Sequence, residues 1–221
     1  MSKLHKFAKQ ITEQSEHFLK VNKAMFVFSK NNNQLLPDNF TDIINLSTLC
    51  CTGNLELAIN LKNATKSESE YEERYLIKQL HLIVYEISTT IDKNYKSFVT
   101  LNTDEKFKIL YEKFNKEFKA FKKNYSFHNE LPKFRNNAIA HYNINLMSYH
   151  KYIDAMCIEK SLEMAQNFMT VLSSLQNVLT QHFNNIKKKG DINAKSKIDF
   201  SKMTPEQVLK FLDKLNNGKK P

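Results

Sequence analysis

Glycine and proline are scarce in this sequence: its 221 residues include three glycines and four prolines, and tryptophan is absent. Nucleotide-binding α/β folds need glycines at their strand-to-helix turns, and all-β folds need turn-forming residues every few positions. Gly53, Gly190 and Gly218 are too few and too far apart to supply either pattern. The scarcity predicts a mostly helical protein and excludes the glycine-rich phosphate loops of Rossmann and P-loop proteins.

Long apolar runs and paired cysteines are also missing. No run reaches the roughly 18 apolar residues that a membrane-spanning helix needs, so we expect no membrane partner. The first residues lack the apolar core of a secretory signal. Cys50, Cys51 and Cys157 are odd in number and have no metal or redox spacing, which favours free thiols and a cytoplasmic protein.

The histidines show no metal-binding pattern. Neither a His-Glu-x-x-His motif nor a cysteine pair accompanies His81, His128, His141 or His150. A nucleophile elbow of the Gly-x-Ser-x-Gly type is absent too, so Ser/His/Asp catalysis has no support. These patterns predict neither a metal ion nor an organic cofactor.

The charge is strongly positive. Lysine and arginine number 33 against 23 acidic residues, which gives a formal net charge of +10. Such a field favours polyanionic partners such as RNA. Because all but two of these cations are lysine, an AT-rich genome, which uses lysine codons freely, explains the excess equally well, and charge alone leaves the two interpretations open.

Apolar residues recur at helical spacing along most of the chain, which predicts an all-α fold. We expect an antiparallel bundle of about five main helices within residues 1–187. The second should be the most buried, because its interior is nearly apolar, and Leu76, Leu80, Ile83, Ile87 and Ile91 should form the buried stripe of the third. The predicted helices cover 3 to about 30, Asp38 to about 62, the stretch after the acidic turn at Glu68–Glu73, Asp104 to about 121, and about 154 to 186.

Beyond the bundle, residues 188–203 are basic and polar and are typical of a linker. A short amphipathic helix is predicted over 204–218. Thr204 and Gln207 have the spacing of a capping box, and Pro205 suits the first helical position. The sequence leaves open whether this helix packs on the bundle or binds a partner.

One segment, Asn129–Asn143, combines residues that can act on a phosphate. It contains Arg135, one of only two arginines in the chain. The guanidinium is a planar fork of donors that matches phosphate geometry, which a lysine ammonium does not. Asn136 follows directly, and His141 lies six positions after the arginine.

The order Arg135-Asn136, four residues, His141 resembles the signature of the HEPN superfamily, and Ala140-His141-Tyr142 resembles its abortive-infection and toxin-type members. The resemblance implies a small helical bundle with the motif in a late helix. It also implies a homodimer in which two motifs meet, and metal-independent cleavage of RNA in a toxin–antitoxin or anti-phage defence system. An antitoxin or another defence protein is the further partner implied.

Within this resemblance the catalytic residues are Arg135, Asn136 and His141. Arg135 would hold the phosphate, and His141 would act as the acid or base, since imidazole titrates near pH ~6.5. Asn136 would orient the phosphate or the imidazole. Substrate-binding roles fall to Lys133, Asn137 and Tyr142, and simple core packing explains Tyr142 equally well.

Three alternatives stay open. The chain could be a non-catalytic HEPN module that binds nucleic acid or acts as a scaffold, or a helical interaction protein unrelated to the family. Arg135 and His141 could also be ordinary polar residues, because an ideal helix places residues six apart about 120° from each other. We interpret the acids of the third helix, Glu73, Glu86 and Asp92, as structural or solvated.

Overall fold

The computed structural model describes residues 3–31, 40–99, 104–127, 129–136, 153–189, 204, 206–208 and 210. These residues form an all-α bundle without a β-strand, as predicted. Within the same residues, no helix is both long and apolar enough to cross a membrane. The helices are α1 (Lys3–Asn31), α2 (Phe40–Ala64), α3 (Glu70–Val99), α4 (Glu105–Asn124), α5 (Glu130–Phe134) and α6 (Ile158–Lys189).

Helix α2 lies at the centre of the bundle and packs against α1, α3 and α6. Buried residues line it from Phe40 to Ala64, as its apolar sequence predicts. Phe40 contacts Phe183 near one end of the pair, and Ser47 bonds Gln176 further along, so α2 and α6 are antiparallel. Helix α4 pairs with α6 in the same antiparallel sense, through Phe121 on Phe168 and Phe107 on His182.

A glycine lets α3 approach α2 closely. A Cβ atom added to Gly53 would collide with Cδ1 of Ile87 on α3 and would lie 3.3 Å from Cδ1 of Leu172 on α6. Both neighbours point into the interior, where side chains have little room to move. Gly53 therefore sets the spacing of three helices at one level of the bundle.

The helix boundaries follow local signals. Asp104 caps α4, since its carboxylate accepts from the backbone N–H of Lys106 at 2.8 Å and of Phe107 at 3.2 Å. Helix α6 begins at Ile158, later than the predicted position near Asp154, after a short helical turn at 153–154. It ends at Lys189 and so enters the segment predicted as a linker.

The buried stripe of α3 differs from the prediction. Its fully buried members are Ile77, Leu80, Val84 and Ile91, with Ile87 nearly so, whereas Leu76 and Ile83 are half-buried. Apolar residues stand next to each other at 76–77 and at 83–84. Either member of each pair fits helical spacing, so the sequence does not decide which one faces the core centre.

The start of the C-terminal segment packs on the bundle. The backbone N–H of Gln207 donates to Thr204 Oγ1 at 3.3 Å, and the Thr204 N–H donates to Gln207 Oε1 at 2.8 Å. This is the predicted capping box. Val208 is completely buried in the common core. The beginning of this segment is thus covered by the bundle; its remainder, including 211–218, lies outside the described residues.

Candidate functional site

Helix α5 holds the candidate site against α3. The chain leaves α4 through Ser126, whose φ of 46° reverses its direction. The ring of Phe127 stacks on Tyr85 of α3 with a centroid distance of 5.9 Å, and Leu131 of α5 is buried. These two apolar contacts anchor a helix that is too short to be stable alone.

Arg135 follows directly on α5 and is held by two oxygen atoms. Its Nε donates to Oε1 of Glu86 on α3 at 3.2 Å, and its Nη1 donates to Oδ1 of Asn136 at 3.4 Å. The guanidinium carbon lies 5.9 Å from the centre of the Tyr85 ring. The Arg135 side chain is nevertheless 38% exposed. A fixed guanidinium with an open edge can bind a phosphate oxygen.

The backbone winding changes at this point. Arg135 and Asn136 form a π-helical turn, which departs from the regular α-helix of 130–134. Turns of this type are rare and occur often at functional sites. The change in winding begins at the first residue of the proposed motif.

The structure brings together two of the six predicted site residues, Arg135 and Asn136. Lys133 lies two positions earlier on α5 and is exposed. The other three, Asn137, His141 and Tyr142, lie outside the described residues, so their predicted roles stay predictions.

Sequence reasoning missed two residues of this site, Glu86 and Tyr85. Glu86 was interpreted as structural or solvated, which its exposed ion pair fits, but its pairing with Arg135 was not predicted. A signal was present: Glu86 is the only charged residue between Lys78 and Asp92. The third acid behaves as interpreted, because Asp92 accepts from Nζ of Lys122 at 2.7 Å and ties α3 to α4.

Apart from Lys122, the lysines of α4 are exposed and form a solvated face. Lys108 pairs with Glu105 and Lys113 with Glu117, each at 3.9 Å along the helix. Exposed pairs of this kind contribute little to stability. The positions of these lysines therefore give no specific sign of an RNA-binding groove.

Burial shifts the pKa values of two thiols and one imidazole of the described core. Burial raises the pKa of the Cys51 thiol to about 12 and raises that of Cys50 well above its ordinary value, so neither forms a thiolate near neutral pH. Burial lowers the pKa of His81 to about 4. Its Nε2 contacts Oγ of Ser161 at 2.9 Å. No group of three His, Cys, Asp or Glu side chains that could hold a metal ion occurs among the described residues.

No family model matches the chain, no curated protein is significantly similar to its sequence, and no solved structure is significantly similar to its fold. A functional assignment therefore depends on the chain's own residues.

Proposed function

We propose that the protein is a metal-independent endoribonuclease of the HEPN type, with Arg135, Asn136 and His141 as its catalytic residues. The observation that carries the proposal is the state of Arg135: its guanidinium is oriented by Glu86 and Asn136, yet its side chain is 38% exposed. The exposed part of the guanidinium leaves a donor for a phosphate oxygen.

The reaction uses the nucleophile that RNA itself carries. His141 takes the proton of a 2′-hydroxyl, whose oxygen attacks the adjacent phosphorus. The bond from phosphorus to the 5′-oxygen breaks, and that oxygen leaves with a proton returned by an acid. The products are a 2′,3′-cyclic phosphate and a 5′-hydroxyl, and DNA is not cleaved because it lacks the 2′-hydroxyl.

Arg135 stabilises the negative charge that builds on the phosphate oxygens in the transition state. Its Nε and Nη1 are used by Glu86 and Asn136, and Nη2 makes no bond to another described residue, so this nitrogen is the donor that meets the phosphate. Glu86 acts as a positioning residue, since it fixes the plane of the fork. Lys133, Asn137 and Tyr142 contact flanking parts of the RNA.

A complete catalytic cleft requires two chains. Each chain carries one Arg-Asn-x4-His motif, and an ideal helix does not place Arg135 and His141 on one face. In a symmetric homodimer His141 of one subunit can act with the guanidinium of the other. We assign the enzyme to a toxin–antitoxin or anti-phage defence role, with RNA as substrate and a regulatory protein as further partner.

The second candidate is a non-catalytic HEPN module that binds nucleic acid or acts as a scaffold. The ion pair between Arg135 and Glu86 favours this alternative, because a carboxylate 3.2 Å away neutralises part of the charge offered to a phosphate.

The variant His141→Ala separates the two candidates. The enzyme proposal expects RNA cleavage to fall by about 10²–10⁴-fold, while dimerisation and RNA binding, measured by light scattering and anisotropy, are retained. His150→Ala is the matched control and should cleave like the wild type. If the wild-type protein binds RNA but never cleaves it, with or without EDTA, the enzyme proposal fails and the binding module stands.

A further inference from the structure

A second site lies on a different part of the bundle. Helices α1, α2 and α6 enclose a cleft of about 580 Å³, and neither α3 nor α5, which carry Glu86 and Arg135, contributes a lining residue. The volume lies within the range of small-molecule pockets, about 300–1,000 Å³. The cleft is lined by Ile11, Glu13, Gln14, Ser15, His17, Phe18, Cys51, Asn54, Ser173, Gln176 and Asn177.

The floor of this cleft is a fixed polar network. Gln176 donates to Oγ of Ser47 at 3.0 Å, and its Oε1 accepts from Ser47 at 3.2 Å and from the Cys51 thiol at 3.6 Å. Ser47 also accepts from Nδ2 of Asn22 on α1 at 2.9 Å, and its single hydroxyl hydrogen can point either to Gln176 or to Oδ1 of Asn22, 3.1 Å away. These bonds hold the three side chains against one another.

Two side chains of the cleft are left out of that network. Asn54 is 6% exposed, and its Oδ1 has no hydrogen-bond partner among the described residues. The Nε2 atom of His17, on the facing helix α1, is also buried and has no hydrogen-bond partner among the described residues. Buried polar atoms without partners are rare in native proteins and call for a specific explanation. A ligand that supplies a donor to Asn54 and a polar atom to His17 is such an explanation.

The charge of the lining narrows the ligand class. Glu13 is the only charged residue among those that line the cleft, in a chain with a net charge of +10. Glu13 is exposed and pairs with Lys9 at 3.9 Å, so the lining offers no lysine or arginine to a phosphate or carboxylate. An uncharged ligand needs no such partner.

The walls suit a flat ring. Ile11 and Phe18 offer apolar surface, and the rings of His17 and Phe18 meet edge to face at 5.9 Å. A side-chain amide such as that of Asn54 recognises the edge of a nucleobase, accepting from its amino group. We propose that this cleft binds an uncharged nucleobase or nucleoside, with Asn54 and His17 as its hydrogen-bonding residues.

Titration calorimetry of the full-length protein tests the proposal, with adenosine, cytidine, guanosine and uridine as probes. At least one should bind at micromolar to millimolar concentration, and its 5′-monophosphate should bind at least several-fold more weakly. A short single-stranded RNA should not compete, because the lining has no lysine or arginine to pair with its phosphates. Absence of binding by all four nucleosides at millimolar concentration, or equal binding of the monophosphate, overturns the proposal, as does competition by the RNA.

Variants locate the site. Asn54→Ala should weaken nucleoside binding at least tenfold, and His17→Ala serves the same purpose should the first variant not fold. Asn60→Ala is the matched control, since Asn60 lies on the same helix but outside the cleft and donates to the Glu56 carbonyl. Unchanged affinity in Asn54→Ala and His17→Ala contradicts the proposal. Binding should persist in Arg135→Ala, so the result is independent of the ribonuclease proposal.

Discussion

The only two arginines of the chain occupy opposite environments. Arg74 donates from Nε and Nη2 to Oε1 of Glu70, at 2.9 and 2.8 Å, and from Nη1 to the Ile153 carbonyl at 2.8 Å. Its side chain is 19% exposed, half as much as the 38% of Arg135. All three guanidinium nitrogens of Arg74 are thus hydrogen-bonded within the fold. Arg135 is oriented by two longer hydrogen bonds, and one edge of its guanidinium is exposed. The comparison separates an arginine whose donors are all bonded within the fold from one that keeps an exposed donor, which our ribonuclease proposal assigns to the phosphate.

The largest expected effects, on the cleavage rate and on stability, come from replacing each arginine in turn by alanine. Arg135→Ala should reduce RNA cleavage by about 10²–10³-fold, because one donor to the developing charge is lost. Arg74→Ala should leave the rate per folded molecule unchanged but lower the free energy of unfolding by about 1–3 kcal/mol, since it leaves the carbonyl of buried Ile153 without its donor. Cleavage rates measure the effect on activity in both variants, and urea melts measure the effect on stability. Equal losses of activity in the two variants would contradict the different roles of the two arginines.

The stability of the fold is expected to depend on pH through His81. This residue lies on α3 between Arg74 and Glu86, and thus between the two arginine sites. Burial lowers the pKa of folded His81 to about 4, below its value of ~6.5 in the unfolded chain. The unfolded state therefore binds the proton first as the pH falls. Neutral His81 therefore contributes fully to stability above pH ~6.5. As the pH falls from ~6.5 to 4, the free energy of unfolding decreases by about 2–3 kcal/mol.

Denaturant melts across this pH window, in wild type and His81→Gln, check the prediction. Glutamine can still donate to Oγ of Ser161 but does not titrate, so its stability should fall less over the same window. Parallel curves for the two proteins would show that His81 is not the titrating group.

A substitution at Gly53 perturbs α3 close to the Arg135 site and far from the Arg74 site. The reason is that its neighbour Ile87 directly follows Glu86, the partner of Arg135. Gly53→Ala should lower the free energy of unfolding by about 1 kcal/mol, since crowding of about 1–3 kcal/mol exceeds the helix-propensity gain of alanine. In an Ile87→Val background, which lacks the colliding methyl group, the same substitution should be neutral or stabilising. The same free-energy change in both backgrounds would contradict the close approach.

The smallest expected effect comes from the carboxylate partners. Glu86→Gln should reduce cleavage about three- to fivefold, the rate equivalent of an exposed ion pair worth up to ~1 kcal/mol. Glu70→Gln is the matched control and should not change the rate. A Glu86→Gln variant that cleaves faster than wild type would indicate that the carboxylate neutralises Arg135 and does not position it.

Much of the fold was predictable because apolar residues at helical spacing and capping residues mark most of the helices in the sequence. Helix α4 begins directly after Asp104, close to its predicted start, since the signal for it lies within one stretch of sequence. The stripe of α3 was misplaced by one position at Leu76 and Ile83, because only packing against neighbouring helices decides between adjacent apolar residues.

The candidate site was predictable only where its residues are neighbours in sequence. Arg135 and Asn136 were identified together, and they contact each other. Glu86 lies 49 positions earlier in the chain, and its pairing with Arg135 depends on how α5 docks on α3. Val208 is a similar case, since its spacing showed an apolar face but not which surface covers it. Contacts between distant segments need the assembled bundle.

The most direct test of the central claim is the chemistry of the cleaved ends. A labelled single-stranded RNA is incubated with the wild-type protein in EDTA, beside the same sequence as DNA, and the product termini are identified by mass spectrometry. The ribonuclease account predicts that only the RNA is cut, leaving a 2′,3′-cyclic phosphate and a 5′-hydroxyl. Cleavage of the DNA, 5′-phosphate ends, or intact RNA under all conditions would contradict it.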